Sequence, residues 1–128
     1  MKDRIILQKI QNYVERIRPI YSQIKDMNEV ELLELNDSFA LTQYLTNIHS
    51  LFMNIASDDI SRKQVDFGIK SLSTCRNISA HDYDSLDWNR VKQLCKKLLS
   101  DNTVLLFDEC FKIVDADEKK ETDYTLPF

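Results

Sequence analysis

Residues 3–24, DRIILQKIQNYVERIRPIYSQI, decide the fold class. Ile6, Ile10, Tyr13, Ile17, Ile20 and Ile24 follow one another at steps of 4, 3, 4, 3 and 4. At about 100° per residue those steps draw one apolar stripe down a helix. Pro19 lies inside the pattern; it lacks a backbone donor and its ring crowds the preceding turn, so a kink is expected there.

The same period returns further along. Residues 25–36, KDMNEVELLELN, read as an acidic connector with a helical turn through Glu31 to Leu35. A second helix is expected from about Asp37 to Ala56, with Leu41, Leu45, Ile48, Phe52 and Ile55 facing inward. Ser57-Asp58-Asp59 breaks it, and Asp59 or Ser61 can cap a third helix over about 61–79 with Val65, Ile69, Leu72 and Cys75 inward. Gly68 inside that span costs about 1 kcal/mol relative to Ala, or marks a close crossing. Asp82-Tyr83-Asp84-Ser85 reads as a loop, after which Asp87 caps a fourth helix carrying Val91, Leu94, Cys95 and Leu98. At Ser100-Asp101-Asn102 that helix either kinks or restarts as a fifth, with Leu105, Leu106, Cys110, Phe111 and Val114 on its apolar face.

Composition agrees with the periodicity. In 128 residues there are one Gly and two Pro, too few to supply the turns of a hairpin-rich chain. The expectation is an all-α, antiparallel four- to five-helix bundle over residues 1–114. Residues 115–128 hold five acids against two lysines and form an acidic tail, flexible or docked through Leu126-Pro127-Phe128. The N-terminus has no uninterrupted apolar core of a signal peptide, and no apolar run reaches membrane-spanning length. Cys75, Cys95 and Cys110 are odd in number and lack CxxC spacing, which suits reduced core thiols of a cytoplasmic protein. Neither they nor the two distant histidines make a zinc pattern, and no Walker loop, GxSxG or dinucleotide fingerprint occurs. No metal or cofactor is implied.

Net charge is -4, yet it is unevenly spread. Residues 60–100 contain eight Lys and Arg against four Asp, a local +4 that leaves -8 for the rest. Screening confines charge interactions to about 10 Å at ordinary salt, so such a stretch can still attract phosphates. Within it stands Arg76-Asn77-Ile78-Ser79-Ala80-His81-Asp82-Tyr83, or Arg-x4-His-x-Tyr. Arg76 and His81 lie about 140° apart on a regular helix, so they meet only near a helix end.

With Asn77 after the arginine and Tyr83 two after the histidine, on a small all-helical chain, this motif resembles that of the HEPN domains. Within them it resembles the HepT-like ribonuclease toxins that are encoded beside a minimal nucleotidyltransferase antitoxin. The resemblance covers roughly residues 2–114. It implies a homodimer whose two Arg-His pairs share one cleft, with RNA as substrate. Arginine stays protonated and offers phosphate oxygens a planar fork; histidine, with an unperturbed pKa of about 6.5, can take or give a proton near neutrality. Arg76 is accordingly the expected phosphate stabiliser, His81 the acid/base, and Asn77 a supporting residue. The resemblance further implies that the antitoxin silences the nuclease by attaching AMP to Tyr83. Two positions depart from the family pattern: His49-Ser50 stand near the place where relatives often carry Gly-Glu, and Asp82 where they often carry Gly. His49, beside an apolar stripe and without a partner motif, reads as structural. The competing function is a non-catalytic HEPN module that docks on a nucleotidyltransferase, although such relatives commonly lack Arg-x4-His.

Overall fold

The computed structural model describes residues 2–68 and 87–125, with side chains described as far as Lys120. Among the described residues there are six α-helices, one 3-10 helix and no strand: α1 (Lys2–Ile24), α2 (Glu29–Glu34), α3 (Asn36–Met53), α4 (Asp58–Arg62), the 3-10 helix (Lys63–Phe67), α5 (Trp88–Leu98) and α6 (Asp101–Thr125). The chain is an all-α bundle. None of these helices is long and apolar enough to cross a membrane.

Helix α1 is the axis. It packs most extensively on α3 and also contacts α5 and α6. Its core stripe is Ile6, Leu7, Ile10, Val14, Ile17, Ile20 and Ile24, while Tyr13 lies half-buried at the margin. The helix continues through Pro19, which is exposed. The carbonyl of Glu15, which a proline cannot serve, is therefore not walled into the core at that turn.

Both long neighbours run antiparallel to α1. Asp3, at its start, accepts hydrogen bonds from the N–H groups of Ala56 and Ser57 just past the end of α3, at 2.9 and 3.0 Å. Arg4 pairs with Asp115 and, at 3.0 Å, with Glu118 on α6, whereas Glu15 and Arg18 share a surface hollow with Thr103 and Val104. Asp3 therefore ties the start of one helix to the turn after another, supplying partners to two N–H groups that precede α4.

Capping explains most element boundaries. Asn28 and Glu31 form a reciprocal capping box at α2: Glu31 N–H donates to Asn28 Oδ1 at 2.9 Å, and Asn28 N–H to Glu31 Oε1 at 3.2 Å. Ser57, rather than Asp59 or Ser61, caps α4, accepting from Ile60 N–H at 3.3 Å. Asp87 caps α5 as the sequence suggests, accepting from Arg90 N–H at 3.3 Å. At the next corner the helix restarts. Ser100 and Thr103 both donate their hydroxyls to the Lys97 carbonyl, at 2.6 and 2.7 Å, so the break occupies a fixed corner.

Two expectations change. A continuous helix over 61–79 does not form, because the chain passes from a 3-10 helix into a left-handed Gly68 at φ 84°. Phe67 is buried in place of Val65, which is 62% exposed. The tighter 3-10 rotation accounts for the exchange, since it shifts which side chains face the core. Ile69, Leu72 and Cys75 lie outside the described residues. In addition, the last helix does not stop at Val114 but continues to Thr125, with Arg4 holding its Asp115 and Glu118. Leu105 is exposed on it, and Phe107 takes the core position.

Candidate functional site

The four motif residues, Arg76, Asn77, His81 and Tyr83, lie outside the described residues, as do Asp82 and Cys75. What is described is the pair of anchors on either side of them.

The leading anchor is an aromatic lock. Phe67 is fully buried, with its ring centroid 5.0 Å from Phe52 of α3 and 5.0 Å from Phe107 of α6. Burying one such ring contributes about 1.5–3 kcal/mol, and each tilted aromatic pair about 0.5–1.5 more. Gln64 Nε2 donates to the Phe52 carbonyl at 3.0 Å, and Lys63 Nζ reaches Glu109 of α6 at 2.8 Å. Gly68 then turns the chain against α5: a Cβ there would stand 3.1 Å from Leu94 Cδ1. The trailing anchor is the start of α5. Trp88 is buried in the core immediately after the Asp87 cap, and Lys92 one turn on donates to the Met27 carbonyl. The described chain on either side of the motif is thus fixed in the core by a buried aromatic, Phe67 before it and Trp88 after it.

The chain matches no family model, no curated protein and no solved structure.

The basic stretch is less free than its composition implies. Arg62 is paired with Asp59 at 3.2 Å, Lys63 with Glu109, and Lys92 is held by a backbone carbonyl. Arg90, Lys96 and Lys97 remain exposed on α5, the last two beside its C-terminal carbonyls, where positive charge is favourable. Lys70 and Arg76 lie outside the described residues. His49 is buried on α3 at 6% exposure, in line with a structural role. Cys95 and Cys110 are buried core thiols, and desolvation pushes Cys110 up to about 11, so it stays protonated and unreactive near neutrality.

A second feature escaped the sequence reading. Between α1 and α3 runs an open groove of about 380 Å³, lined by Lys9, Asn12, Tyr13 and Arg16 from one helix and by Asn47, Ser50 and Leu51 from the other. The guanidinium of Arg16 lies 5.3 Å from the centroid of the Tyr13 ring, which in turn meets Tyr44 at 5.7 Å. The signal was present as the spacing of residues 9, 12, 13 and 16, one helix face next to the core stripe. It was hidden because the +4 of residues 60–100 drew the charge argument there, and these residues have no motif to mark them.

Proposed function

We propose that the chain is a metal-independent endoribonuclease of the HEPN, HepT-like kind, acting as a homodimer and held silent by a nucleotidyltransferase partner. The observation that carries this reading is Arg76-Asn77-x3-His81-x-Tyr83 within an all-α chain. The two firm anchors at Phe67 and Trp88 support it, because a short polar cluster needs rigid shoulders to hold catalytic geometry.

In the proposed reaction the 2′-oxygen of a ribose attacks the adjacent phosphorus, and the 5′-oxygen of the next nucleotide leaves. The His81 imidazole removes the 2′-hydroxyl proton and, charged by it, returns a proton to the leaving oxygen; each subunit brings one His81 to the composite site, and either can serve. Arg76 neutralises charge that grows on the phosphoryl oxygens. Silencing follows when the Tyr83 phenol oxygen bonds to the α-phosphorus of ATP and pyrophosphate departs. The added phosphodiester carries negative charge into the cleft and repels the RNA backbone.

The purified chain, incubated with RNA in a metal chelator, is expected to yield fragments ending in 2′,3′-cyclic phosphate. His81→Ala is expected to slow cleavage by roughly 10²- to 10⁴-fold, the usual worth of positioned proton transfer. Intact RNA in the presence of a folded wild-type dimer overturns the nuclease and favours the non-catalytic module. For the silencing step, incubation with the cognate nucleotidyltransferase and ATP should add AMP to a peptide containing Tyr83. Modification of a different peptide removes that part.

A further inference from the structure

We propose that the groove between α1 and α3 is a binding site for the backbone of single-stranded RNA. The choice of RNA rests on the nuclease reading above, while the groove's affinity for a polyanion rests on its own chemistry.

Lys9 and Arg16 are both exposed, and the lining of the groove contains no carboxylate. Four other cations are held by acids: Arg4 by Asp115 and Glu118, Arg18 by Glu15, Arg62 by Asp59 and Lys63 by Glu109. Lys9 and Arg16 have no acidic partner among the described residues. Seven residues separate them, about 10 Å along the helix axis. Two positive charges at that spacing, on long flexible side chains, suit two phosphates of an extended strand better than one small anion.

The rest of the lining fits the same ligand. Arg16 stacked over Tyr13 makes a flat, cationic platform of the kind on which unpaired bases stack. Asn12 and Asn47 present amides that both donate and accept, and Ser50 adds a hydroxyl; these suit base edges and ribose hydroxyls. Duplex RNA does not fit. Its bases are already stacked on each other and its edges lie within grooves, leaving the platform unused.

The test is binding of a fluorescently labelled, mixed-sequence single-stranded oligoribonucleotide, followed by anisotropy across a salt series. Every protein carries His81→Ala, so that cleavage does not intrude. Against this background Lys9→Gln/Arg16→Gln is expected to weaken binding at least about tenfold. It should also make the slope of log affinity against log salt shallower by about 1.4, two phosphate contacts at about 0.7 each. The exposed pair Lys119→Gln/Lys120→Gln removes the same charge from α6 and is expected to change neither quantity appreciably. Duplex RNA and polyglutamate of matched charge should compete poorly.

The proposal falls if wild-type groove residues confer no RNA binding, if the groove pair binds as its parent does, or if the α6 pair loses as much. Equal competition by polyglutamate overturns RNA as the ligand. The two readings separate cleanly. A chain with His81 intact that binds through the groove but cuts nothing sinks the nuclease alone. One that cuts RNA while the groove variants bind normally sinks the groove alone.

Discussion

Gly68 shows how one residue governs where a helical run ends. Its φ of 84° is a conformation that side chains with a Cβ adopt only under strain, and a Cβ placed there would press on Leu94 Cδ1 at 3.1 Å. Both effects act in the same direction. Gly68→Ala is expected to lower stability by about 1–2 kcal/mol, from the left-handed backbone and the tight contact together. A urea titration reads this as a lower midpoint with an unchanged slope. An unaltered midpoint would mean that the turn relaxes at no cost, and that Gly68 does not fix the end of the 3-10 helix. Such legibility as this position had in the sequence was partial. A lone Gly in an apolar-periodic run signals either a tolerated weak point or a break, and only tertiary packing of Phe67 against Phe52 and Phe107 selects the break.

At the scale of elements, the α1–α6 pairing has a charged clasp with a definite pH dependence. Hydrogen bonding to Arg4 holds the Glu118 carboxyl below its usual 4.5, and the same contacts push the Arg4 guanidinium higher. Glu109 is lowered likewise by Lys63, and Glu15 by Arg18. A carboxylate with a depressed folded pKa stabilises the fold above its unfolded value and loses that contribution as pH falls through the folded one. The clasp is therefore intact at neutral pH and is released only as pH falls below the usual carboxylate range, while arginine remains charged throughout. Wild-type Tm should fall between pH 6 and pH 3, and the fall should be smaller in Arg4→Met. Raising salt toward 1 M should narrow the difference between the two at neutral pH, because these pairs are exposed and easily screened. Parallel pH curves at both salt concentrations would show that the clasp contributes no stability.

This clasp also marks a boundary of what periodicity can tell. The stripes of α1, α3 and α5 were readable because one face of each helix is core: Ile10 and Ile17, Leu45 and Phe52, Val91 and Leu98 are all buried where the spacing puts them. The helix beyond Val114 was not readable, because Asp115 and Glu118 bind through charge and leave no apolar period. The same holds for the groove, whose polar residues carry no periodic apolar signal. The Arg-x4-His-x-Tyr motif is an expectation from residue types and spacing; its residues lie outside the described ones, and the structure describes only the flanking Phe67 and Trp88.

For the whole molecule, the decisive question is whether a single chain of 15.1 kDa is the working unit. Arg76 and His81, five residues apart, need a helix end to meet within one chain, and the proposed cleft gathers one pair from each of two copies. This arrangement makes a prediction that a one-chain site does not. Arg76→Ala and His81→Ala homodimers should each be nearly inactive, since each lacks one residue type altogether. Mixed under conditions that let subunits exchange, they form heterodimers holding one arginine and one histidine in the shared cleft. Cleavage should then reappear at a sizeable fraction of the wild-type rate, in step with the heterodimer population measured by native mass spectrometry. Subunits that exchange without restoring cleavage would confine each site to its own chain. The Arg-x4-His pair would then have to close locally, at a helix end within one subunit, and the twofold cleft would be withdrawn.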